Sequence, residues 1–290
     1  KFSFNENVEI TVEANPDDVT LEKLELLKDL GVNRLSIGVQ SFNDEELTFL
    51  KRRHSLKGAE KALSRVKEVG FKNFGIDLIY GLPGQTVASW MASLRKALTF
   101  KPAHLSCYQL TLEKSTPFGK MKDQGKFKVC SEEQGRDFFL TTSKFLERNG
   151  FVHYEISNFS RGRRYRSRHN CKYWHHIPYL GLGPGAHSFQ GRTRWWNVKS
   201  VKDYCDKINT RLRPTAGSES LSNEQLRLEK LFLGLRTSDG VSLDVAFPES
   251  PFNDLLQNVE KTRLVSVRKN RLIPTKKGFL MADHLPLLFP

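Results

Sequence analysis

Residues 34–40 read Arg-Leu-Ser-Ile-Gly-Val-Gln, and residues 74–80 read Phe-Gly-Ile-Asp-Leu-Ile-Tyr. In both stretches apolar side chains alternate with small or polar ones, and this period of two predicts β-strands. Val8–Ala14 and His104–Leu110 show the same alternation. Four strands are therefore predicted between Val8 and Leu110.

Helical patterns fill the gaps between these strands. Thr20 is placed as an N-cap before leucines at helical spacing, and Asn43 with Glu46 has the spacing of a capping box. A further helix is predicted from Ser55 to Gly70, and another over Trp90–Leu98. Strands that alternate with helices build a parallel sheet, so the fold class is α/β.

The two faces of the predicted strands differ in character. One face is aliphatic, whereas the other carries the small or polar residues Thr11, Ser36, Gly38, Gly75 and Ser106. An open sheet with helices on both sides is apolar on both faces. Small and polar inward residues instead favour a barrel that holds a ligand in its mouth.

Longer polar side chains lie near the carboxyl ends of three of these strands, at Glu13, Gln40 and Asp77. They are separated by about one strand–helix unit each. Each residue could simply cap its neighbouring loop. Because all three fall in register at the edge where barrel enzymes bind ligands, we interpret them as a binding site.

The composition limits the class of protein. The chain has 290 residues and a mean hydropathy of −0.48, and no apolar run approaches the ~18 residues of a membrane span. The four cysteines, at positions 107, 130, 171 and 205, form no Cys-x-x-Cys pair. This pattern argues against a disulfide framework or a zinc ribbon, and we expect a soluble protein of the reducing cytoplasm.

The formal net charge of +14 has two interpretations. Lysines spread over helices are typical of a solvated face, whereas basic proteins also bind polyanions such as nucleic acid. Five arginines crowd into eight residues, and because like charges repel, a flexible loop is expected there; its position before a second motif suggests anion binding as the alternative. These residues are Arg161, Arg163, Arg164, Arg166 and Arg168.

Four motifs occur in order along the chain. They are Val12-Glu-Ala-Asn-Pro16, Asn33-Arg-Leu-Ser-Ile-Gly-Val-Gln-Ser-Phe42, Arg52-Arg-His54 and Ile76-Asp-Leu-Ile-Tyr-Gly-Leu-Pro-Gly-Gln-Thr86. Through this combination the chain resembles the HemN/HemW, coproporphyrinogen-dehydrogenase-like branch of radical-SAM proteins, from about Val8 to its C-terminus. The resemblance implies an incomplete radical-SAM (β/α)6-type barrel with a 4Fe-4S cluster and S-adenosylmethionine (SAM).

Matched position by position, the resemblance implies that Glu13, Gln40, Arg52 and Asp77 contact SAM. Carboxylates and amides accept hydrogen bonds from the amino group and ribose hydroxyls of SAM. An arginine can pair with its carboxylate in a forked geometry. For Arg52 the alternative is a surface ion pair.

The chain departs from the family in its first part. The Cys-x-x-x-Cys-x-x-Cys loop that binds the cluster does not occur in this sequence. Val8–Ala14 matches the third strand of the family barrel, so the first two strand–helix units are not represented. We expect a fragment of a longer protein that, as given, does not cleave SAM reductively; the alternative is a natural relative without the cluster.

A second motif, His169-Asn-Cys-Lys-Tyr-Trp174, has the His-Asn-x-x-Tyr-Trp pattern that is typical of the HemW members and is tied there to haem binding. The resemblance implies that His169, Asn170, Tyr173 and Trp174 contact haem. It makes His169 the candidate iron ligand, since imidazole is a usual axial ligand. The aromatic rings could pack on the porphyrin, and nearby arginines could meet its propionates.

Other interpretations of this region remain open at the level of sequence. His175, His176, His187 or Cys171 could ligate instead, or the segment could be a packed loop. The glycine-rich run Gly181–Ser188 is either a tight turn that needs positive φ or a contact with cofactor or substrate.

The C-terminal part has a different composition. The polar stretch Thr215–Ser220 is interpreted as a linker, which predicts domains over 1–214 and 215–290. Beyond it, helices over Asn223–Leu235 and Phe252–Val259 precede a hairpin of Leu264–Val267 and Arg271–Pro274, and Lys276–His284 is predicted to be helical. This order resembles the small, helical, winged-helix-like C-terminal domain of the family. No predicted helix gathers the Arg, Lys, Asn and Gln of a DNA-recognition face.

Two functions within the family fit these residues. The haem motif favours a haem chaperone that delivers haem to acceptor proteins, which the resemblance implies to be respiratory enzymes. The alternative is an oxygen-independent coproporphyrinogen III dehydrogenase of porphyrin biosynthesis. A homodimer is also expected by resemblance, and nucleic-acid binding driven by charge is a third, less favoured hypothesis.

Overall fold

The structure, a computed structural model, describes residues 5–248 and 253–289. Its contacts divide the chain into two compact units, Lys1–Arg166 and Ser167–Pro290. The division into domains 1–214 and 215–290 stays a prediction. Among the described residues, no helix is both long and apolar enough to cross a membrane.

The first unit contains a sheet of six strands, in the order β1-β2-β3-β4-β6-β5. The first four strands are parallel, as predicted, and β6 and β5 continue the sheet as an antiparallel hairpin. β1 begins three residues later than its pattern, and the hairpin was not predicted. The strands are β1 Thr11–Ala14, β2 Arg34–Gln40, β3 Phe74–Tyr80, β4 His104–Gln109, β5 Val152–Glu155 and β6 Asn158–Ser160.

Helices connect the parallel strands. The Thr20 hydroxyl accepts a hydrogen bond from the backbone at the start of the first α-helix, so the predicted cap is confirmed, and the Ser55 hydroxyl caps the third in the same way. The last two helices of this unit were not predicted. The helices are α1 Leu21–Asp29, α2 Asp44–Phe49, α3 Leu56–Glu68, α4 Val87–Thr99, α5 Pro117–Asp123 and α6 Glu132–Arg148, and Pro16–Asp18 forms a 3-10 turn.

The aliphatic face of the sheet forms the core of the first unit. Leu35, Ile37 and Ile76 have no exposed surface and pack with apolar residues of the helices. Trp90 of α4 is also fully buried and donates its ring N–H to Thr142 Oγ1 of α6 at 2.7 Å. Burying each large side chain contributes roughly 1.5–3 kcal/mol, so this face anchors the strands while the opposite face stays polar.

The second unit begins with the short helix α7 (Arg168–Trp174) and a sheet of three antiparallel strands. Its strands are β7 His187–Gln190, β8 Thr193–Asn197 and β9 Thr215–Ser220, with α8 Val201–Asn209 between the last two. The expectation of a linker at Thr215–Ser220 is therefore wrong. The segment pairs with β8, and a Cβ on Gly217 would lie 2.6 Å from the Trp196 ring, so its small residues make room for that ring.

The remainder of this unit has its own core, which includes the fully buried Leu231 and Leu272. The order of helix, helix and hairpin agrees with the prediction, although the start of the helix predicted over Phe252–Val259 lies outside the described residues. The strands pair in the order β10-β12-β11. The elements are α9 Asn223–Gly234, β10 Val241–Ser242, α10 Leu243–Ala246, α11 Asn253–Lys261, β11 Val265–Arg268, β12 Arg271–Pro274 and α12 Lys276–Leu280, before a 3-10 turn at Leu285–Leu288.

Candidate functional site

The polar face of the first sheet gathers acidic and hydroxyl side chains. The register places Glu13 beside Ser36, and Asp77 beside Ser106. The Ser36 hydroxyl lies 2.9 Å from Asp77 Oδ2 and 3.1 Å from Oδ1, so it donates to this carboxylate across the strands. Two of the predicted SAM residues, Glu13 and Asp77, therefore lie on the same face of the sheet.

The environment of Asp77 disfavours its negative charge. Burial raises the pKa of this carboxyl above its usual value, and the nearby charge of Glu13 raises it further. Hydrogen bonds from Ser106 and Ser36 and the charge of Arg34 act in the opposite direction but do not cancel the effect of burial. A ligand that brings positive charge or hydrogen-bond donors to this face would stabilise the carboxylate.

Gln40 and Arg52, the other two predicted SAM residues, meet over Gly38. A Cβ on Gly38 would lie 2.7 Å from the Gln40 amide nitrogen and 3.7 Å from Arg52 Nη2. Gln40 has a φ of 67° at a bulge in β2, a conformation that few non-glycine residues adopt. The missing side chain at Gly38 therefore leaves the space that the amide and the guanidinium occupy.

Arg52 is held on one side only. Its Nη2 donates to the side-chain oxygen of Asn15 and, at 3.3 Å, to the carbonyl of Gly38. Its Nε is buried and has no hydrogen-bond partner among the described residues. A cavity of about 270 Å³ lies beside it, lined by Asn15, Asp17, Lys51, Arg52, Arg53 and His54. An orphaned donor next to a cavity fits a ligand carboxylate, so these residues are compatible with SAM.

A network of hydrogen bonds, here called the Glu46 clamp, joins the loops that follow β2 and β3. The Glu46 carboxylate accepts from the Ser41 hydroxyl and, at 3.0 Å, from the Gln85 amide. The Gln85 side-chain oxygen in turn accepts from the backbone of Gly81 at 2.8 Å. Asn43 caps α2. The predicted capping box is nevertheless wrong, because the Glu46 side chain binds Ser41 and Gln85 and not the backbone of Asn43.

The cysteines do not fit a 4Fe-4S cluster. Cys107 is buried in the core, while Cys130, Cys171 and Cys205 lie on separate elements or loops. The described residues contain no group of three His, Cys, Asp or Glu side chains that could hold a metal ion.

The residues predicted to bind haem lie on α7, which is capped by Ser167. His169 is exposed, and its ring meets the Tyr173 ring edge to face at a centroid distance of 4.9 Å. Asn170 donates its backbone N–H to the Ser167 hydroxyl. Trp174 is partly buried beneath the Arg236 guanidinium, and its ring N–H has no hydrogen-bond partner among the described residues.

The three other histidines of this region also contact neighbouring side chains. His176 is bound through Nε2 to Glu229 at 2.9 Å, and its side chain is only 7% exposed. His175 lies 3.5 Å from the Asp239 carboxylate. His187 stacks on Trp196 at a centroid distance of 5.8 Å. Both His169 and His187 are exposed and lie against an aromatic ring, whereas the His176 side chain is buried.

The arginine cluster is not the flexible loop that was expected. Arg163–Tyr165 forms a 3-10 turn, and three of the arginines lie over aromatic rings. Arg161 lies 4.5 Å from the centre of the Phe151 ring, while Arg164 and Arg166 lie over Tyr165 and Tyr154. Planar guanidinium groups are attracted to ring faces, which offsets their mutual repulsion.

The glycine-rich run after α7 contains the predicted turn. Gly183 and Gly185 have φ values of 101° and 68°. A Cβ on Gly181 would lie 2.1 Å from the His187 carbonyl oxygen, so the backbone approaches itself too closely for any side chain there. The tight-turn interpretation is confirmed.

A cavity of about 350 Å³, here called the Tyr173 cavity, opens beside α7. Sequence reasoning did not find it, because its residues come from α7, β7, β8 and α9 and the segments between them. It is lined by Tyr173, His176, Tyr179, His187, Phe189, Arg194, Glu229, Phe232 and Leu233.

Comparison with known proteins gives a consistent set of relatives. Residues 2–97 match the Radical SAM superfamily. "Heme chaperone HemW" of Bacillus subtilis (strain 168) is 36% identical over 288 residues, which cover 96% of this chain and 74% of that protein. The mitochondrial "Radical S-adenosyl methionine domain-containing protein 1" of Danio rerio is 35% identical over 242 residues, covering 81% of this chain and 54% of that protein.

A solved structure also resembles the chain. Coproporphyrinogen III oxidase (HemN) from Escherichia coli, a radical SAM enzyme, aligns with a TM-score of 0.80 at 25% identity. The alignment covers 99% of this chain and 71% of that one.

Proposed function

Because the chain belongs to the HemW family of the radical-SAM superfamily, we propose that it is a haem chaperone, which binds haem and passes it to acceptor proteins. One observation carries the proposal within this chain. An exposed histidine, His169, and an aromatic ring, Tyr173, share one face of α7 beside a cavity lined with aromatic side chains.

His169 is the proposed ligand of the haem iron. A ligand imidazole must be accessible to the metal, and His169, the histidine of the His-Asn-x-x-Tyr-Trp motif, is exposed on α7, whereas the side chain of His176 is only 7% exposed. Tyr173 and Trp174 offer flat apolar surface to the macrocycle, as aromatic rings do in cofactor sites. Asn170, one residue further along α7, completes the proposed set of contacts.

The first unit is proposed to bind SAM through Glu13, Gln40, Arg52 and Asp77. Arg52 would pair with the carboxylate of SAM through its buried Nε, and the Gln40 amide would bind beside it over Gly38. SAM would bring a positive sulfonium and hydrogen-bond donors, which offset the unfavourable burial of negative charge at Asp77. The pocket residues thus bind and orient the nucleotide without contributing a cluster.

The test is a titration of the chain with haem while the Soret band is recorded. Haem bound through imidazole should give a shifted, saturable band with the wild type. His169→Ala should weaken binding at least about tenfold, because even the loss of a residue that only orients a metal ligand costs that much. His284→Ala, an exposed histidine of the same unit, is the matched control and should bind as the wild type does.

The outcomes separate the two parts of the proposal. If His187→Ala or His175→Ala abolishes the band and His169→Ala does not, the ligand assignment is wrong although haem is bound. If the wild-type chain gives no saturable band, the haem-chaperone function itself is contradicted.

A second candidate is the coproporphyrinogen III oxidase reaction, favoured by the structural likeness to HemN. It requires a cluster that the cysteines of this chain do not fit, so we expect no loss of carboxyl groups from coproporphyrinogen III when it is incubated with this chain and SAM. Conversion measured by mass spectrometry would support the enzyme instead. Nucleic-acid binding has less support, because three cluster arginines already lie over rings.

A further inference from the structure

We infer that the Tyr173 cavity receives the apolar, vinyl-bearing edge of the porphyrin and excludes its propionate edge. The inference rests on the proposed haem-binding function and specifies which tetrapyrroles the site accepts. It is carried by the chemistry of the cavity walls.

The apolar wall of the cavity is built from flat rings. Tyr173 meets Tyr179 edge to face at a centroid distance of 4.5 Å, and Tyr179 lies 6.3 Å from Phe189. Phe232 and Leu233 of α9 complete this wall and are only partly buried. Partly exposed apolar side chains around an opening gain free energy when a flat apolar ligand covers them.

The polar wall carries charges that are already paired. The Glu229 carboxylate accepts from His176 Nε2 at 2.9 Å and from Arg194 Nη2. Arg194 also lies 3.5 Å from the Glu219 carboxylate. Burial alone would raise the pKa of Glu229, but its hydrogen bonds to His176 and Arg194 lower it below its usual value, so the carboxylate is stabilised by these partners.

This pairing determines which edge of a porphyrin fits. A propionate that reached Arg194 would have to displace Glu229 and would then face the Glu219 carboxylate as well. Desolvating like charges against each other is unfavourable. Vinyl and methyl groups need no hydrogen bonds, so they can lie against the paired wall without leaving a charge unsatisfied.

The size and position of the cavity agree with the insertion of one edge of the porphyrin ring. Its 350 Å³ is at the lower end for ligand pockets, and a tetrapyrrole is a large ligand, so one edge of the ring enters while the propionate edge stays outside. Tyr173 is a wall of the cavity and also touches the His169 ring. The cavity is therefore continuous with the proposed position of the iron ligand.

The experiment compares porphyrins that differ only at this edge. Protoporphyrin IX carries two vinyl groups, and coproporphyrin III carries propionates in their place. In fluorescence titrations of the whole chain, we expect metal-free protoporphyrin IX to bind at least about tenfold more tightly than coproporphyrin III. Leu233→Trp, which fills the cavity, should weaken protoporphyrin binding about tenfold and leave the weak binding of coproporphyrin unchanged.

Two controls make the test decisive. Lys230→Trp adds the same ring at an exposed position of α9 and should bind as the wild type does. Leu233→Phe, a smaller addition, should give an intermediate loss and replaces Leu233→Trp if that variant does not fold. Equal affinities for the two porphyrins, or unchanged protoporphyrin binding in a folded Leu233 variant, would overturn the inference.

Failure of this inference can be distinguished from failure of the proposed function. His169→Ala removes the iron ligand but not the cavity, so it should lose haem affinity and keep its affinity for metal-free protoporphyrin IX. A chain that binds haem through His169 but does not discriminate between the two porphyrins would retain the chaperone function and lose only the cavity assignment.

Discussion

Asp77 is held in an environment that favours its protonated form. Its folded pKa lies above the ordinary value of 3.8, chiefly because of burial. Its contribution to folding is therefore most favourable below about pH 4 and is lost as the pH rises through the folded pKa. A buried carboxyl group that lowers the stability of the protein at neutral pH is typical of a binding site, where function is kept at a cost in stability.

Asp77→Asn should therefore increase stability at neutral pH. The amide keeps the shape, and the Ser36 hydroxyl can hydrogen-bond to either of its atoms, so only the buried charge is removed. We expect a gain on the order of 1 kcal/mol at pH 7 that disappears toward pH 4, measured by urea unfolding at a series of pH values. SAM affinity should fall at the same time.

The matched control for this variant is Asp29→Asn, at an exposed end of α1, which should change stability little at either pH. If Asp77→Asn were less stable than the wild type at pH 7, the neighbours of Asp77 would stabilise its carboxylate. Its pKa would then lie below the ordinary value and not above it.

Single residues also mark the limit of prediction from sequence. The polar face could be recognised because Ser36, Asp77 and Ser106 alternate with aliphatic residues. The left-handed conformation of Gln40 could not be recognised, since it arises from a bulge in β2 that the pattern of side chains does not encode. The pairing of His176 with Glu229 spans 53 residues and depends on the tertiary fold.

At the scale of elements, the Glu46 clamp connects the loops that directly follow two strands, β2 and β3, which carry proposed SAM residues. Ser41 directly follows Gln40, and Gly81 follows the end of β3, which contains Asp77. Ser41 and Gln85 are almost completely buried, so their hydrogen bonds with Glu46 cannot be replaced easily by water. The clamp therefore fixes the backbone that presents Gln40.

Glu46→Ala should weaken SAM binding although Glu46 is not proposed to touch SAM. We expect about a tenfold loss of affinity by calorimetry and a loss of about 1–2 kcal/mol in the free energy of unfolding, because two buried polar side chains lose a partner. Glu45→Ala, at an exposed neighbouring position on α2, is the control and should change neither. Glu46→Gln should recover part of the affinity, since its amide can still bond one of the two partners; no recovery would argue against the clamp.

Elements with strong local signals were predictable, and those held by distant partners were not. Arg34–Gln40 and Phe74–Tyr80 form strands over the predicted residues because their alternation matches the burial of one face. Thr215–Ser220 has the composition of a linker, yet it is a strand, because β8 supplies its hydrogen bonds. The arginine cluster likewise takes its structure from the rings of Phe151 and Tyr154, which the local sequence does not reveal.

At the scale of the whole molecule, the two proposed sites belong to different compact units. The SAM residues all lie in Lys1–Arg166, and the haem residues with the Tyr173 cavity all lie in Ser167–Pro290. Each unit has a separate hydrophobic core, with Leu35 and Ile76 in the first and Leu231 and Leu272 in the second. A core of its own is the main requirement for a unit that folds independently.

We therefore predict that the polypeptides 1–166 and 167–290 fold when expressed separately, each with one cooperative thermal transition. The second should bind haem with an affinity within about threefold of the whole chain, since each residue proposed to contact haem lies in it. A division at residue 214 would instead separate β9 from β8 and expose the edge of that strand, so polypeptide 167–214 is the control that should fail to fold. If polypeptide 167–290 is folded but does not bind haem while the whole chain does, residues of the first unit must contribute to the haem site.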